Sequence, residues 1–352
     1  MRNSMRTGLM VIAVMLGAVW VVARQNPAQP AAGGAQPGAR GQGAGGARGG
    51  GQVAGQAAGQ APGRGGAPRT KKVVLAWADT RNGQAQHNST THMLSVLERI
   101  GYESGTYDMY IRTDSDIISY NPKKTDGTPA SGGPNLNNID AIFFAGHRNV
   151  PLDEAGQKDL INAIHEKGIG FVAAYIALTP WTTFPEMTHI LGATAAGVNV
   201  HDPFGGTGSV LVNESPDFPA VKHYPPMLAT GQAYYQPDFY DRTDIQVLLR
   251  KDLSKLSPVA NYTRPDGDYP VAWIHNYGKG RVFYSSIGNG ESPDWDDTNL
   301  QRMYFEALKW SMGLTQYEVK PHALPADVKP PSGPPAPAAP ARGGRAGGAP
   351  AQ

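Results

Sequence analysis

The 352-residue sequence contains no cysteine. The chain therefore forms no disulfide, offers no thiolate to a metal and cannot use a thiol as a catalytic nucleophile. Its fold must be stabilised by a hydrophobic core alone. The roughly 250 residues of ordinary composition that follow position 70 are enough to build such a core.

Acidic residues are missing from residues 1–70, which carry seven Arg and no Asp or Glu. Residues 71–320, by contrast, carry a net charge of −7. A mildly acidic body lacks the basic face that nucleic acids require, so we expect no nucleic-acid partner. The spaced arginines of the first segment are typical of a solvated spacer, although a basic arm could also contact an anionic surface.

The motifs of several enzyme classes are absent as well. The sequence has no G-x-S-x-G elbow, no phosphate-binding G-x-x-x-x-G-K-[ST] loop, no H-E-x-x-H zinc motif and no G-x-G-x-x-G after a strand. We therefore predict no cofactor and no metal, and look for function in the loops of the folded domain.

Both ends of the chain differ in composition from its middle. Residues 1–25 have the pattern of an export signal, with Arg2 and Arg6 before an uncharged apolar run, and an uncleaved membrane anchor is the alternative. We therefore expect an exported protein, periplasmic or extracellular, unless the first segment holds it at a membrane. Residues 26–70 predict a disordered linker and 317–352 a disordered Pro/Ala/Gly tail, which leaves 71–316 as the folded domain.

The stretch Gly168–Ala177 is a short, uncharged and nearly continuous apolar run. Apolar residues at successive positions indicate a strand that is covered on both faces, as in the middle of a parallel sheet. Ligands of doubly wound sheets bind beyond the carboxyl ends of such strands. Residues 175–181 are therefore the first place to look for function.

The remaining pattern predicts an α/β fold. Up to the central strand the order is strand, helix, strand, loop, strand, helix, which favours a flavodoxin-like, doubly wound and mostly parallel sheet. Beyond Gly192 we expect short antiparallel strands and a closing helix over 297–312. Over the whole domain, the predicted strands are 73–78, 102–109, 139–144, 210–213, 246–250, 258–262, 271–275 and 281–286. The predicted helices before the closing one are 91–100 and 153–167.

Polar residues at the predicted strand ends and in two loops are the candidates for chemistry. His87 and the pair His201-Asp202 are the most reactive, because a histidine can transfer protons and a carboxylate can orient it. Each loop histidine could equally be a surface or capping residue, and His92, His165 and His189 are interpreted as structural. The aromatic cluster Tyr234, Tyr235, Phe239 and Tyr240 fits either a packed lid or a sugar-stacking platform.

Several segments together resemble a known family. They are residues 86–91, residues 168–172, His201-Asp202-Pro203, the most specific stretch Pro270–Gly288, and Lys309–Gly313. At these residues the chain resembles the ThuA-like (trehalose utilisation) family of the class I glutamine amidotransferase-like superfamily. The resemblance implies that fold without the amidotransferase cysteine, a role in sugar metabolism, and disaccharides or oxidised sugars as substrates.

By position, His87 and His201 match polar site residues of that family. The chain also departs from the family pattern, which often has histidines where Tyr175 and Asn289 stand and an acidic pair near Gln232. Neutral side chains at these positions weaken the case for acid–base chemistry and suit a binding pocket equally well.

Two main hypotheses follow from these observations. The first is an exported enzyme acting on a disaccharide, glycoside or keto-sugar, in which His87, His201 and Asp202 are catalytic. The second is a non-catalytic carbohydrate-binding module that keeps the same pocket. A metal site built from those three residues has no supporting ligand spacing. In either case the residues expected to bind the sugar are Thr91, His147, Tyr175, Tyr235 and Asn289.

Overall fold

The computed structural model describes residues 70–80, 87–124, 126–130, 132–146, 150–195, 201–206, 209–230, 232, 234–262, 264–288 and 292–334. The predicted export segment and nearly all of the linker lie outside these residues, so export remains a prediction. Among the helices that are described, none combines the length and the apolar character needed to span a bilayer.

The described chain alternates strands and helices and then becomes mainly strands. The strands are β1 Lys72–Trp77, β2 Tyr107–Arg112, β3 Ala141–Phe144, β4 Gly170–Ala174, β5 Thr194–Ala195, β6 Ser209–Asn213, β7 Met227–Thr230, β8 Pro237–Asp238, β9 Gln246–Lys251, β10 Pro270–Tyr277 and β11 Gly280–Ser285. The helices are α1 Ser89–Ser104, α2 Glu154–Ile161, α3 Glu186–Leu191 and α4 Thr298–Ser311.

Local sequence explains where the helices begin and end. The Asp153 carboxylate accepts a hydrogen bond from the backbone N–H of Gly156 at 2.7 Å, which caps α2. Asp297 caps α4 in the same way by accepting from the N–H of Asn299 at 2.8 Å. Gly105, at φ 67°, ends α1 in the left-handed conformation that glycine adopts at low cost.

Among the described residues, nine strands form one sheet in the order β2-β1-β3-β4-β11-β10-β9-β6-β7. Strands β2, β1, β3, β4 and β11 run parallel, and β10, β9, β6 and β7 alternate in direction from there. β4 is buried along its whole length, with Val172 and Ala174 in the core on one face and Phe171 and Ala173 in the core on the other. The predicted α/β class and the Gly-rich hairpin of β10 and β11 are confirmed.

Strand direction decides which loops meet. β1, β4, β9 and β11 all end at the same edge of the sheet, here called the carboxyl edge. β6 begins there and β7 ends there, because β6 is antiparallel to β9 and β7 is antiparallel to β6. The opposite edge, the amino edge, is where β10 ends and β11 begins.

Two strand predictions were wrong. The expected strand 102–109 starts late, because α1 continues through Gly101 to Ser104. A Cβ at Gly101 would lie 2.1 Å from the ring of Tyr107, so the missing side chain lets that ring pack against the uninterrupted helix. Residues 258–262 form turns instead of a strand, with the N–H of Tyr262 bonded to the carbonyl of Val259 at 3.2 Å.

The prediction of a disordered tail from residue 317 was wrong for residues 317–334. Here the N–H of Lys320 donates to Gln246 Oε1 at 2.7 Å, and the N–H of Gly333 donates to the carbonyl of Leu256 at 2.9 Å. A Pro-rich segment can be ordered in extended form when the domain satisfies its backbone groups. Residues 335–352 lie outside the described part of the chain.

Candidate functional site

A strained turn follows the central strand at the carboxyl edge. Tyr175 has φ 43°, a left-handed conformation that is unusual for a bulky residue and that clusters at functional sites in proteins. Two buried side chains hold the turn in place. Tyr284 Oη donates to the carbonyl of Tyr175 at 2.9 Å, and Trp181 Nε1 donates to the carbonyl of Ala177 at 3.1 Å.

Four of the sequence-predicted residues come together at this turn. The rings of Tyr175 and Tyr235 stack with centroids 4.6 Å apart and planes 7° apart. His87 meets Tyr175 edge-on at 5.1 Å, and His201 meets Tyr235 at 5.7 Å. We call these residues the histidine–tyrosine cluster; they come from the loops after β1, after β4, before β6 and after β7.

The cluster is closed at its centre and open at its ends. Tyr175 is 5% exposed and Tyr235 is 2% exposed, whereas His87 is half-buried and His201 is exposed. Imidazole rings can donate or accept protons near neutral pH, and phenol rings combine an apolar face with a polar tip. The arrangement therefore offers proton transfer at two places beside a rigid aromatic wall.

Asp202 does not face the histidines. Its Oδ1 accepts from the N–H of Phe204 at 2.9 Å, and its Oδ2 accepts from the N–H of Tyr234 at 3.0 Å and from Lys251 Nζ at 2.5 Å. The side chain is fully buried. These contacts join the loop that carries His201 to the loop that carries Tyr235, so we interpret Asp202 as a positioning residue.

Lys251 is a site residue that the sequence analysis missed. It ends β9 with its side chain fully buried, and its ammonium also donates to the carbonyl of Gly205 at 2.9 Å. The rings of Phe204 and Tyr269 lie 5.4 and 5.7 Å from Nζ. Burial lowers the pKa of Lys251, and the adjacent Asp202 carboxylate acts against that shift. The available signal was a lysine at the end of a strand whose middle, Val247-Leu248-Leu249, is apolar.

The sequence profile of the ThuA family, described as trehalose utilisation, matches residues 73–311, which is more than half of the chain. The chain belongs to the ThuA family. The resemblance inferred from the motifs is thereby confirmed, together with the family's link to trehalose utilisation. None of the curated proteins compared with the chain matches it.

Solved structures of ThuA-like proteins support the same fold. A putative ThuA-like protein from Bacteroides uniformis superimposes with a TM-score of 0.52 at 17% identity, covering 71% of this chain and 95% of that one. One from Parabacteroides merdae gives 0.51 at 15% identity, covering 74% and 94%. ThuA-like proteins have the class I glutamine amidotransferase-like fold, so the predicted fold class is confirmed.

The remaining predicted site residues of this ThuA-family chain are not part of the cluster as described. Thr91 is exposed on α1, and its carbonyl accepts from Ser95 Oγ at 2.9 Å. His147 and Asn289 lie outside the described residues. In the part of the chain that is described, no three His, Asp or Glu side chains are grouped closely enough to hold a metal ion.

Buried polar atoms without a partner also accumulate next to the carboxyl edge. Four have no hydrogen bond within the described chain: Ser89 Oγ, Thr179 Oγ1, Gln232 Oε1 and Trp295 Nε1. They belong to the segments that follow β1, β4, β7 and β11. Buried polar groups in proteins are almost always hydrogen-bonded, and exceptions mark places where a ligand or water is bound.

Proposed function

We propose that this ThuA-family protein binds a disaccharide, glycoside or keto-sugar at the histidine–tyrosine cluster and processes it by general acid–base chemistry. The observation that carries the proposal is the stacked pair Tyr175–Tyr235 with a histidine in contact at each end. The two rings are buried against each other and form a rigid support between the histidines, so a sugar is held at the open, histidine ends of the cluster.

Hydrolysis of a glycoside would use the two histidines in opposite roles. One, protonated, gives its proton to the glycosidic oxygen as the bond from that oxygen to the anomeric carbon breaks. The other takes a proton from the water whose oxygen bonds to the same carbon. Tyr284 supports this chemistry indirectly, because it holds the carbonyl of Tyr175 and with it the turn.

A second candidate is a carbohydrate-binding protein without turnover. The observation in its favour is that Asp202 accepts from Phe204, Tyr234 and Lys251 and has no hydrogen bond with His201 within the described chain. In this case the sugar binds at the same open ends of the cluster, and the histidines contribute hydrogen bonds only.

One comparison distinguishes the two. The full chain and its His87→Ala and His201→Ala variants are assayed for turnover of disaccharides, glycosides and keto-sugars, and for binding of the same compounds by calorimetry. The matched control is His92→Ala, since His92 lies on the surface of α1 with its Nε2 2.9 Å from Asp296.

We expect both cluster variants to lose turnover by at least about 100-fold while retaining binding, and the control to keep full activity. Binding without turnover by the unsubstituted chain across the whole panel would establish the binding protein. Equal activity of all four proteins would refute a role for the cluster in catalysis.

A further inference from the structure

A cleft lies at the amino edge of the sheet, opposite the histidine–tyrosine cluster. Its volume is about 980 Å³, near the upper end of the roughly 300–1,000 Å³ that small-molecule sites occupy. It is bounded by α3, residues 239–241 and 243–244, the end of β10, and residues 319 and 321. None of its lining residues belongs to the cluster, so the two sites are separate.

Phe239 sets this cleft apart from an ordinary surface groove. It is 78% exposed and has φ 46°. A left-handed conformation is strained at a bulky residue, and an exposed ring gains nothing from burial. Its neighbour Tyr240, in contrast, donates to Asp268 at 3.0 Å and is covered by the Arg264 guanidinium 4.5 Å from its ring centre.

Besides the aromatic rings and the apolar Val319 and Pro321, the lining is polar and, among the described residues, contains no Lys or Arg. It combines carboxylates with hydroxyl and amide groups, from Glu186, Thr188, Asp241, Thr243, Asp244 and Asn276. His189, which the sequence analysis interpreted as structural, also lines it.

Two of the carboxylates are held in place through a single oxygen each. Tyr277 donates to Oε1 of Glu186 at 2.5 Å, and the N–H and hydroxyl of Thr243 donate to Oδ1 of Asp241 at 2.7 and 2.8 Å. The second oxygen of each has no hydrogen bond within the described chain, so both can accept from a ligand.

These features select a class of ligand. A free aromatic ring beside fixed acceptors matches a molecule with an apolar face and several hydroxyl donors, and bonds from hydroxyls to carboxylates are charge-assisted. An anionic ligand finds no cation in the lining and is repelled by three carboxylates. We propose that the amino-edge cleft is a second carbohydrate-binding site, which takes a neutral oligosaccharide by stacking a sugar ring on Phe239.

The test measures binding of trehalose, maltotriose and cellotriose to the full chain by calorimetry, with the affinities of the two sites fitted separately. Phe239→Ala should lower the affinity of the cleft about tenfold and Asp244→Asn about threefold. Met227→Ala, which removes another exposed apolar side chain far along the sheet on β7, is the matched control and should change nothing.

Each other outcome overturns the proposal. It fails if no sugar of the panel binds, or if Phe239→Ala and Met227→Ala behave alike. It also fails if spermidine binds in a Phe239-dependent manner and displaces the sugar, because the cleft is then a cation site. Failure of the proposed catalytic function shows instead as turnover that is insensitive to His87 and His201, so the two results are distinguishable.

Discussion

Lys251 Nζ lies 2.5 Å from Asp202 Oδ2, and neither side chain is exposed to solvent. The pair connects the end of β9 to the loop that carries His201. The same carboxylate oxygen accepts the N–H of Tyr234, next to Tyr235. One buried ion pair therefore brings together two of the loops that form the histidine–tyrosine cluster.

Asp202→Asn should destabilise the protein by about 3–5 kcal/mol, because it leaves a buried ammonium without its counter-ion. Urea unfolding measures the change. The control Asp108→Asn removes a partly exposed ion pair with Lys71 and should cost about 1 kcal/mol or less. Since the double variant Asp202→Asn/Lys251→Met removes the unpaired charge, it should recover part of the loss. Equal effects of the two Asp→Asn changes would contradict this account.

Tyr284→Phe should lower the free energy of unfolding by about 1–3 kcal/mol and also weaken sugar binding. The reason is that the carbonyl of Tyr175 loses its buried donor and the strained turn is no longer held. Unfolding curves and calorimetry on the same variant measure both effects. Tyr102→Phe, on the exposed surface of α1, should change neither. A loss of stability with unchanged sugar affinity would show that Tyr284 does not position the site.

Acidification should destabilise the fold in part through His275. This residue is buried, its Nε2–H donates to the carbonyl of Ile190 at 2.9 Å, and burial lowers its pKa. The unfolded chain, with an imidazole pKa of about 6.5, binds this proton more readily. The stability contributed by neutral His275 is therefore complete above about pH 6.5 and is lost as the pH falls toward the folded-state pKa.

Urea unfolding between about pH 7.5 and 5 tests this expectation. His275→Gln should flatten the dependence on pH. A smaller slope should remain in His275→Gln, because burial also lowers the pKa of His223. That slope should disappear in the double variant His275→Gln/His223→Gln. An unchanged slope in His275→Gln would rule out His275 as a source.

Truncation after Gln316 should destabilise the domain by about 2 kcal/mol or more, whereas truncation after Pro334 should not. The first removes Tyr317, whose ring packs on Phe218 at 5.0 Å, and Lys320, whose N–H satisfies Gln246 Oε1. Thermal unfolding of the two truncated chains gives the comparison. Identical melting temperatures would show that residues 317–334 add no stability.

Local patterns were sufficient for much of the fold. The uncharged run Gly168–Ala177 predicted the central strand, and its Tyr175 was correctly expected at a strand end. The hairpin of β10 and β11 followed from a Gly-rich turn between apolar segments. The continuation of α1 past Gly101 was not foreseeable from local sequence. Its cause is the ring of Tyr107, from β2, which packs where a side chain at position 101 would lie.

The sequence alone determined the apolar strands, the loss of thiol chemistry and the presence of His87, Tyr175 and His201 in loops. Only the tertiary structure decided that Tyr235 stacks on Tyr175, and that Lys251 neutralises Asp202. Those contacts depend on β9 running parallel to β4, three places along a sheet whose order differs from the order in the chain. Periodicity reports which face of an element is buried, whereas partners far apart in sequence are selected by the packing of the whole sheet.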